Sequence, residues 1–108
     1  MFVEIRFYAT LPGKRAEFLR LYRDEGLAIQ QPVQGPCLGI FSHEFGPQEQ
    51  VITMWRYAGL DDRAARRARL AQLPEWQAFL GKVGPLVSGH DTRLLRAEAG
   101  EVMTLPAP

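Results

Sequence analysis

From residue 2 to residue 9 the chain alternates, with Val3, Ile5, Phe7 and Ala9 on one side and Glu4, Arg6 and Tyr8 on the other. A period of two carried by β-branched and aromatic residues predicts a half-buried strand. Pro12-Gly13 then signals a turn. A helical period follows over residues 14–31, with Phe18, Leu21, Tyr22, Ala28 and Ile29 on one stripe. Gly26 weakens the middle of that helix, and Pro32 with Gly35-Pro36 is expected to stop it. Residues 37–45 and 50–57 read as two strands around Gly46-Pro47-Gln48-Glu49, a β-hairpin. Asp61-Asp62 suit a helix N-terminus. The helix they open, over residues 63–73, is expected to bury Ala64, Ala65, Ala68 and Leu73 and to leave Arg63, Arg66, Arg67 and Arg69 solvated. Pro74 ends that helix and begins another, whose Trp76, Phe79, Leu80 and Val83 read as packing residues rather than ligand contacts. Weak alternation over residues 88–96 gives a last strand, and residues 98–108 form an aperiodic tail, mobile or draped over a neighbour.

The order is β-α-β twice, joined by the hairpin. That order predicts an α+β, ferredoxin-like βαββαβ fold with a four-stranded antiparallel sheet and both helices on one face. With Val3, Ile5 and Phe7 placed under the helices, the open face would carry Glu4, Arg6 and Tyr8, joined by Thr53, Trp55 and Tyr57 from the neighbouring strand. Aromatic rings interleaved with charges make a poor water-facing surface and a poor dry core. A second copy of the chain covers such a face most simply, the two sheets closing into a dimeric α/β barrel without exposed edges.

Length and charge narrow the function classes. At 108 residues the chain fits one domain, residues 1–97, plus the tail. A net charge of +1, from 13 basic and 12 acidic residues, gives no basic stripe for nucleic acid. No apolar run approaches the ~18 residues of a membrane helix. One cysteine and an N-terminus that enters a charged alternating pattern lead to the expectation of a reducing, cytoplasmic setting without a secretory signal. Basic residues are nearly all arginine and asparagine is absent, a bias expected of a GC-rich bacterial genome.

The chemistry is sparse. His43 and His90 each adjoin an acidic residue in a strand, so the neighbouring side chains point to opposite faces and cannot share an ion. No pair has helical ligand spacing, and no metal site is expected. No glycine-rich phosphate loop is present, so no nucleotide cofactor is expected, and Cys37 reads as a small apolar filler. What remains is a constellation of Arg6, Tyr8, Glu44, Thr53, Trp55 and Tyr57, with Glu4 and Arg93 beside it. Arginine can hold a carboxylate or oxyanion, tyrosine and glutamate can move protons, and the rings can stack on a flat ligand. The same set can equally be a barrel lining, with acids and Arg6 paired across strands.

Several ordered motifs resemble the NIPSNAP family: Glu4-x-Arg6-x-Tyr8, the turn through Gly13-Lys14, Glu44-Phe45-Gly46-Pro47, Gln50-Val51, Met54-Trp55-x-Tyr57, Pro74-Glu75-Trp76-Gln77-Ala78-Phe79 and Thr92-Arg93-Leu94-Leu95. The resemblance covers residues 2–97 and implies the dimeric α/β-barrel fold. It implies no settled reaction, although vesicle-related roles have been proposed for the animal members. The family often carries histidine where this chain has Thr53, so proton chemistry by that histidine has no counterpart here. Haem-degrading relatives of this barrel plan use a helix-borne histidine, and neither helical stretch contains one; no cofactor is expected. The leading functional expectation is a barrel pocket for a small hydrophobic or aromatic molecule, with a cofactor-independent monooxygenase- or isomerase-like enzyme as its catalytic form. The alternative is a non-catalytic dimeric interaction module whose barrel is structural. A cavity lined by Arg6, Tyr8 and Trp55 favours the first, and a solidly packed lumen the second.

Overall fold

A computed structural model describes residues 1–106. Strand β1 (Phe2–Thr10) leads into helix α1 (Arg15–Leu21), a π-helical turn (Tyr22–Gly26) and α2 (Leu27–Gln34). Strands β2 (Gly39–Ser42) and β3 (Gln50–Tyr57) follow, then α3 (Leu60–Ala71), α4 (Pro74–Val83) and β4 (Val87–Arg96). The sheet order is β2-β3-β1-β4, with every neighbouring pair antiparallel. This is the four-stranded, ferredoxin-like α+β arrangement expected from the element order.

Register fixes which side chains share a face. Glu4 lies opposite Trp55, Arg6 opposite Thr53 and Tyr8 opposite Val51, and on the other side Tyr8 faces His90. Grouping Glu4, Arg6 and Tyr8 with Thr53, Trp55 and Tyr57 therefore holds. Placing that group on the open face does not. Val51, Trp55 and Tyr57 form one core with Phe18, Leu21 and Tyr22 from the first helical segment and Phe79 and Val83 from α4. The helices cover the mixed polar and aromatic face, and Val3, Ile5, Phe7, Ile52 and Met54 lie half-exposed on the other. The physical reason is visible at Glu4: its carboxylate is fully buried because arginines on α3 reach down to it. The buried charge is paired, as burial requires. The molecule measures 37 × 36 × 20 Å, and its thin dimension has room for one helical layer on one sheet.

The helices depart from the sequence reading in instructive ways. The first does not stop at Pro32 but runs through it to Gln34, ending where Gly35 takes a φ of 93° and donates its N–H to Gln31. The buried stripe does not continue to Ala28 and Ile29; it passes through Gly26, Gln30 and Gln34. The π-helical turn inserts one residue, so every later position rotates out of the phase that a uniform 3.6-residue period predicts. Gly26, on the buried stripe, makes room for α4: a Cβ there would lie 2.5 Å from the Phe79 ring. On α3 the alanines Ala64, Ala65 and Ala68 are exposed, whereas Arg63, Arg66 and Arg67 are half-buried against acids. The tail turns back over the bare face, where the Val102 carbonyl accepts a hydrogen bond from Arg56 at 3.4 Å. Tail positions 107 and 108 lie outside the described residues.

Candidate functional site

Between the helical layer and the β1–β4 side of the sheet lies a cleft of about 380 Å³, within the usual range for small-molecule sites. Its floor is Arg6 and Tyr8, with Val87 from β4. Phe18 and Tyr22 form one wall, and Trp76 and Phe79 the other. The exposed rim is Gln77, Leu80, Gly84 and His90. Ring contacts make the walls stiff: Tyr8 and Phe18 centroids are 5.3 Å apart, Tyr22 meets Phe79 edge-on at 5.6 Å, and Trp76 stacks on Phe79 at 5.3 Å.

Arg6 supplies the charge. Its Nε donates to the Tyr8 hydroxyl at 2.8 Å, and its Cζ sits 5.6 Å from the Tyr8 ring centroid. Among the described residues no ion pair engages it. Burial works against the guanidinium's charge, but Tyr8, Glu4 and Tyr22 outweigh burial and hold its pKa above the ordinary arginine value. Arg67 enters the cleft from α3 while remaining 3.9 Å from Glu4.

Behind the cleft runs a continuous polar chain. Tyr22 donates to Gln30 Oε1, Gln30 Nε2 to Gln34 Oε1 at 2.9 Å, and Gln34 Nε2 to the Tyr57 hydroxyl at 2.5 Å. Tyr57 donates to Glu4 Oε2 at 3.5 Å, and Glu4 Oε1 accepts from Arg63 Nε at 2.8 Å. All members except Arg63 are buried. Burial raises the Tyr22 hydroxyl well above the ordinary tyrosine value, helped by the neighbouring Tyr8 hydroxyl. Tyr57 is pushed up to about 12, first by burial and then by Glu4.

The expected site residues separate. Arg6 and Tyr8 line the cleft. Thr53, Trp55 and Tyr57 share their sheet face but lie buried on β3, where Trp55 Nε1 donates to Thr53 Oγ1 at 3.1 Å and Tyr57 joins the polar chain. Glu44 sits exposed in the β2–β3 loop, and Arg93 stands on the opposite sheet face against Phe7 and Asp91; neither lines the cleft. Cys37 is half-buried and packed against the core, its thiol pushed up by burial and bonded to the Gly39 carbonyl at 3.3 Å.

Sequence reasoning missed Tyr22, Gln30, His90 and Trp76 as cleft residues. His90 was legible in principle, since it is the cross-strand neighbour of Tyr8 once register is known. Gln30 and Gln34, two amides spaced i,i+4 on an otherwise apolar stripe, carried a signal that only the π-helical turn makes readable.

Known proteins agree with this architecture. A crystal structure of a NIPSNAP family protein from Agrobacterium tumefaciens is 46% identical, with a TM-score of 0.84 over 88% of this chain and 90% of that one. A NIPSNAP-like domain protein from Burkholderia xenovorans is 38% identical, with a TM-score of 0.88 over 99% and 90%. A putative antibiotic biosynthesis monooxygenase from Nitrosomonas europaea shares the fold at a TM-score of 0.67 but only 13% identity. A NipSnap homolog from Dictyostelium discoideum is 29% identical over 79 residues, which span 73% of this chain and 34% of that protein. A sequence model of the NIPSNAP family matches residues 3–99, nearly the whole chain: it belongs to the NIPSNAP family.

Proposed function

We propose that this NIPSNAP domain, residues 1–97 with 98–108 as its tail, is a homodimer that binds a small aromatic or hydrophobic molecule in each subunit's own cleft. One observation carries the reading: the 380 Å³ cleft is walled by stacked rings and floored by a cation that has no anionic partner among the described residues. A lumen packed solid by these side chains would have favoured a purely structural role. The site is within one chain, between sheet and helices, and not inside the barrel.

Pairing uses the opposite face. Val3, Ile5, Phe7, Ile52 and Met54 there, extended by exposed Phe41 and Leu95, form an apolar surface that water covers at a cost. Two such faces closing on each other give the dimeric barrel. The lone Cys37 suits a reducing compartment such as the bacterial cytoplasm, and no helix among the described residues is long and apolar enough to cross a membrane. Tyr8, Tyr22 and His90 are the cleft groups able to move a proton, so the catalytic form of this reading is a cofactor-independent reaction on the bound molecule.

Native mass spectrometry of freshly purified protein tests both parts. The expected result is a dimer mass carrying a releasable small molecule that Trp76→Ala loses and Ile5→Arg converts to a monomer. A wild-type monomer overturns the pairing, and an adduct retained by Trp76→Ala overturns the cleft.

A further inference from the structure

The buried chain behind the cleft has a fixed direction. A carboxylate only accepts hydrogen bonds, so Glu4 obliges the Tyr57 hydroxyl to donate to it. Tyr57 then accepts from the Gln34 amide, which turns the Gln34 carbonyl toward the Gln30 amide. The Gln30 carbonyl is left to face Tyr22, which donates its proton away from the cleft. At the near end Tyr8 accepts from Arg6, and its ring packs beside that of Tyr22, centroids 6.4 Å apart. Donors therefore point one way from Tyr22 to the Glu4 anion, each polarising the next, with the Arg6–Tyr8 pair packed against the near end.

The π-helical turn makes the alignment possible. At roughly 100° per residue, an unbroken α-helix puts Gln30 about 80° around from Tyr22, off its face. The inserted residue brings Gln30 back to within about 20° and stacks Gln34 beneath it. A distortion that costs helix regularity thus creates one polar stripe from the cleft wall to Tyr57.

With the Tyr22 proton turned inward and Arg67 held 3.9 Å from Glu4, the cationic donors of the cleft that have no carboxylate partner are the terminal N–H groups of Arg6. An uncharged aromatic ligand would leave that half-buried cation unpaired, whereas a carboxylate or sulfonate would accept its terminal N–H groups. We propose that the cleft selects an aromatic anion, clamped by Arg6, and that Gln30 at the back of the cleft and Gln34, Tyr57 and Glu4 behind it are positioning residues that set this selectivity. The inference rests on the ligand-binding reading above.

Two dyes with one ring system test it: anilinonaphthalene sulfonate, an anion, and phenylnaphthylamine, its uncharged counterpart, each titrated by fluorescence into the full-length chain. A hydrogen bond to a charged group makes the sulfonate dye bind roughly tenfold or more tightly than the neutral one. Arg6→Gln should erase that preference while changing the neutral dye's affinity by no more than about twofold. Tyr8→Phe, which keeps the ring and removes the hydroxyl, should lower the preference several-fold, as should Gln30→Leu. Equal affinity of the two dyes for the wild type overturns the anion selectivity and leaves an aromatic cleft standing. A preference that survives Arg6→Gln puts the anion elsewhere. Proportional weakening of both dyes in Tyr8→Phe and Gln30→Leu reduces the chain to a structural role. Failure of both dyes to bind the wild type overturns the ligand-binding reading itself.

Discussion

The Glu4–Arg63 pair offers a sharp test of how burial controls the worth of an ion. Arg63 reaches Glu4 Oε1 through Nε at 2.8 Å and through Nη2 at 2.6 Å, and Glu4 is wholly buried. Replacing Arg63 with Met keeps most of the stem packing and strands the carboxylate. Its remaining partners are Tyr57 at 3.5 Å and Arg67 at 3.9 Å, both too long to compensate without movement. Breaking a buried pair costs about 3–5 kcal/mol. Because the Arg63 side chain is itself 29% exposed and Arg67 can swing inward, we expect roughly 2–4 kcal/mol, or about 10 °C or more in Tm for a domain of this size. Lys82–Glu25 is the control: its separation is also short, 2.5 Å, but its side chains are 56% and 37% exposed. Lys82→Met should cost under about 1 kcal/mol. The assay is urea denaturation followed by tryptophan fluorescence at one fixed protein concentration, since dimerisation would otherwise shift apparent stability. Converting both members, Glu4→Leu with Arg63→Met, should recover most of the loss, because an apolar pair leaves no charge stranded. Equal costs for Arg63→Met and Lys82→Met would refute the reasoning.

Alkaline pH should weaken the fold. Tyr57 titrates near 10 unfolded and about 12 folded, so between these values the folded state holds the proton more tightly. The stability from the neutral hydroxyl is complete below pH 10 and lost as pH rises through 12, a fall of about 2–3 kcal/mol that a denaturation series in wild type and Tyr57→Phe would measure. A pH dependence unaltered in Tyr57→Phe would assign the effect to other groups. At the π-helical turn, Gly26→Ala drives a methyl against the Phe79 ring, 2.5 Å away. It should cost about 1–3 kcal/mol by calorimetry, and an unchanged Tm would mean that the ring has room to move.

Much of the fold was legible because it is written locally. Alternation and Gly/Pro punctuation place β1 and β3 within a residue, and strand β3 coincides with the expected residues 50–57, whereas the first hairpin strand, expected over 37–45, is cut to Gly39–Ser42. Alternation also groups Glu4, Arg6 and Tyr8 correctly. It is silent on which neighbour covers them, because both faces of β1 and β3 carry large apolar side chains. That choice is tertiary. Phe18, Leu21 and Phe79 must pack somewhere, and the polar face wins because Arg63 and Arg67 neutralise Glu4 while the glutamines satisfy Tyr22 and Tyr57.

The site was half legible for the same reason. Arg6 and Tyr8 stood out as a cation beside an aromatic ring on one strand face. Glu44 was a false companion: it sits in the exposed loop, beyond the end of β2 at Ser42. Tyr22, Gln30 and Gln34 were hidden by a single inserted helical residue, which shifts the period without changing composition. Element order, the sheet it forms and the pairs that share a face follow from local patterning along the chain. Which face the helices bury, and that a cleft opens there, depends on long-range packing, since a buried charge can be placed only once its partners from distant segments are in reach.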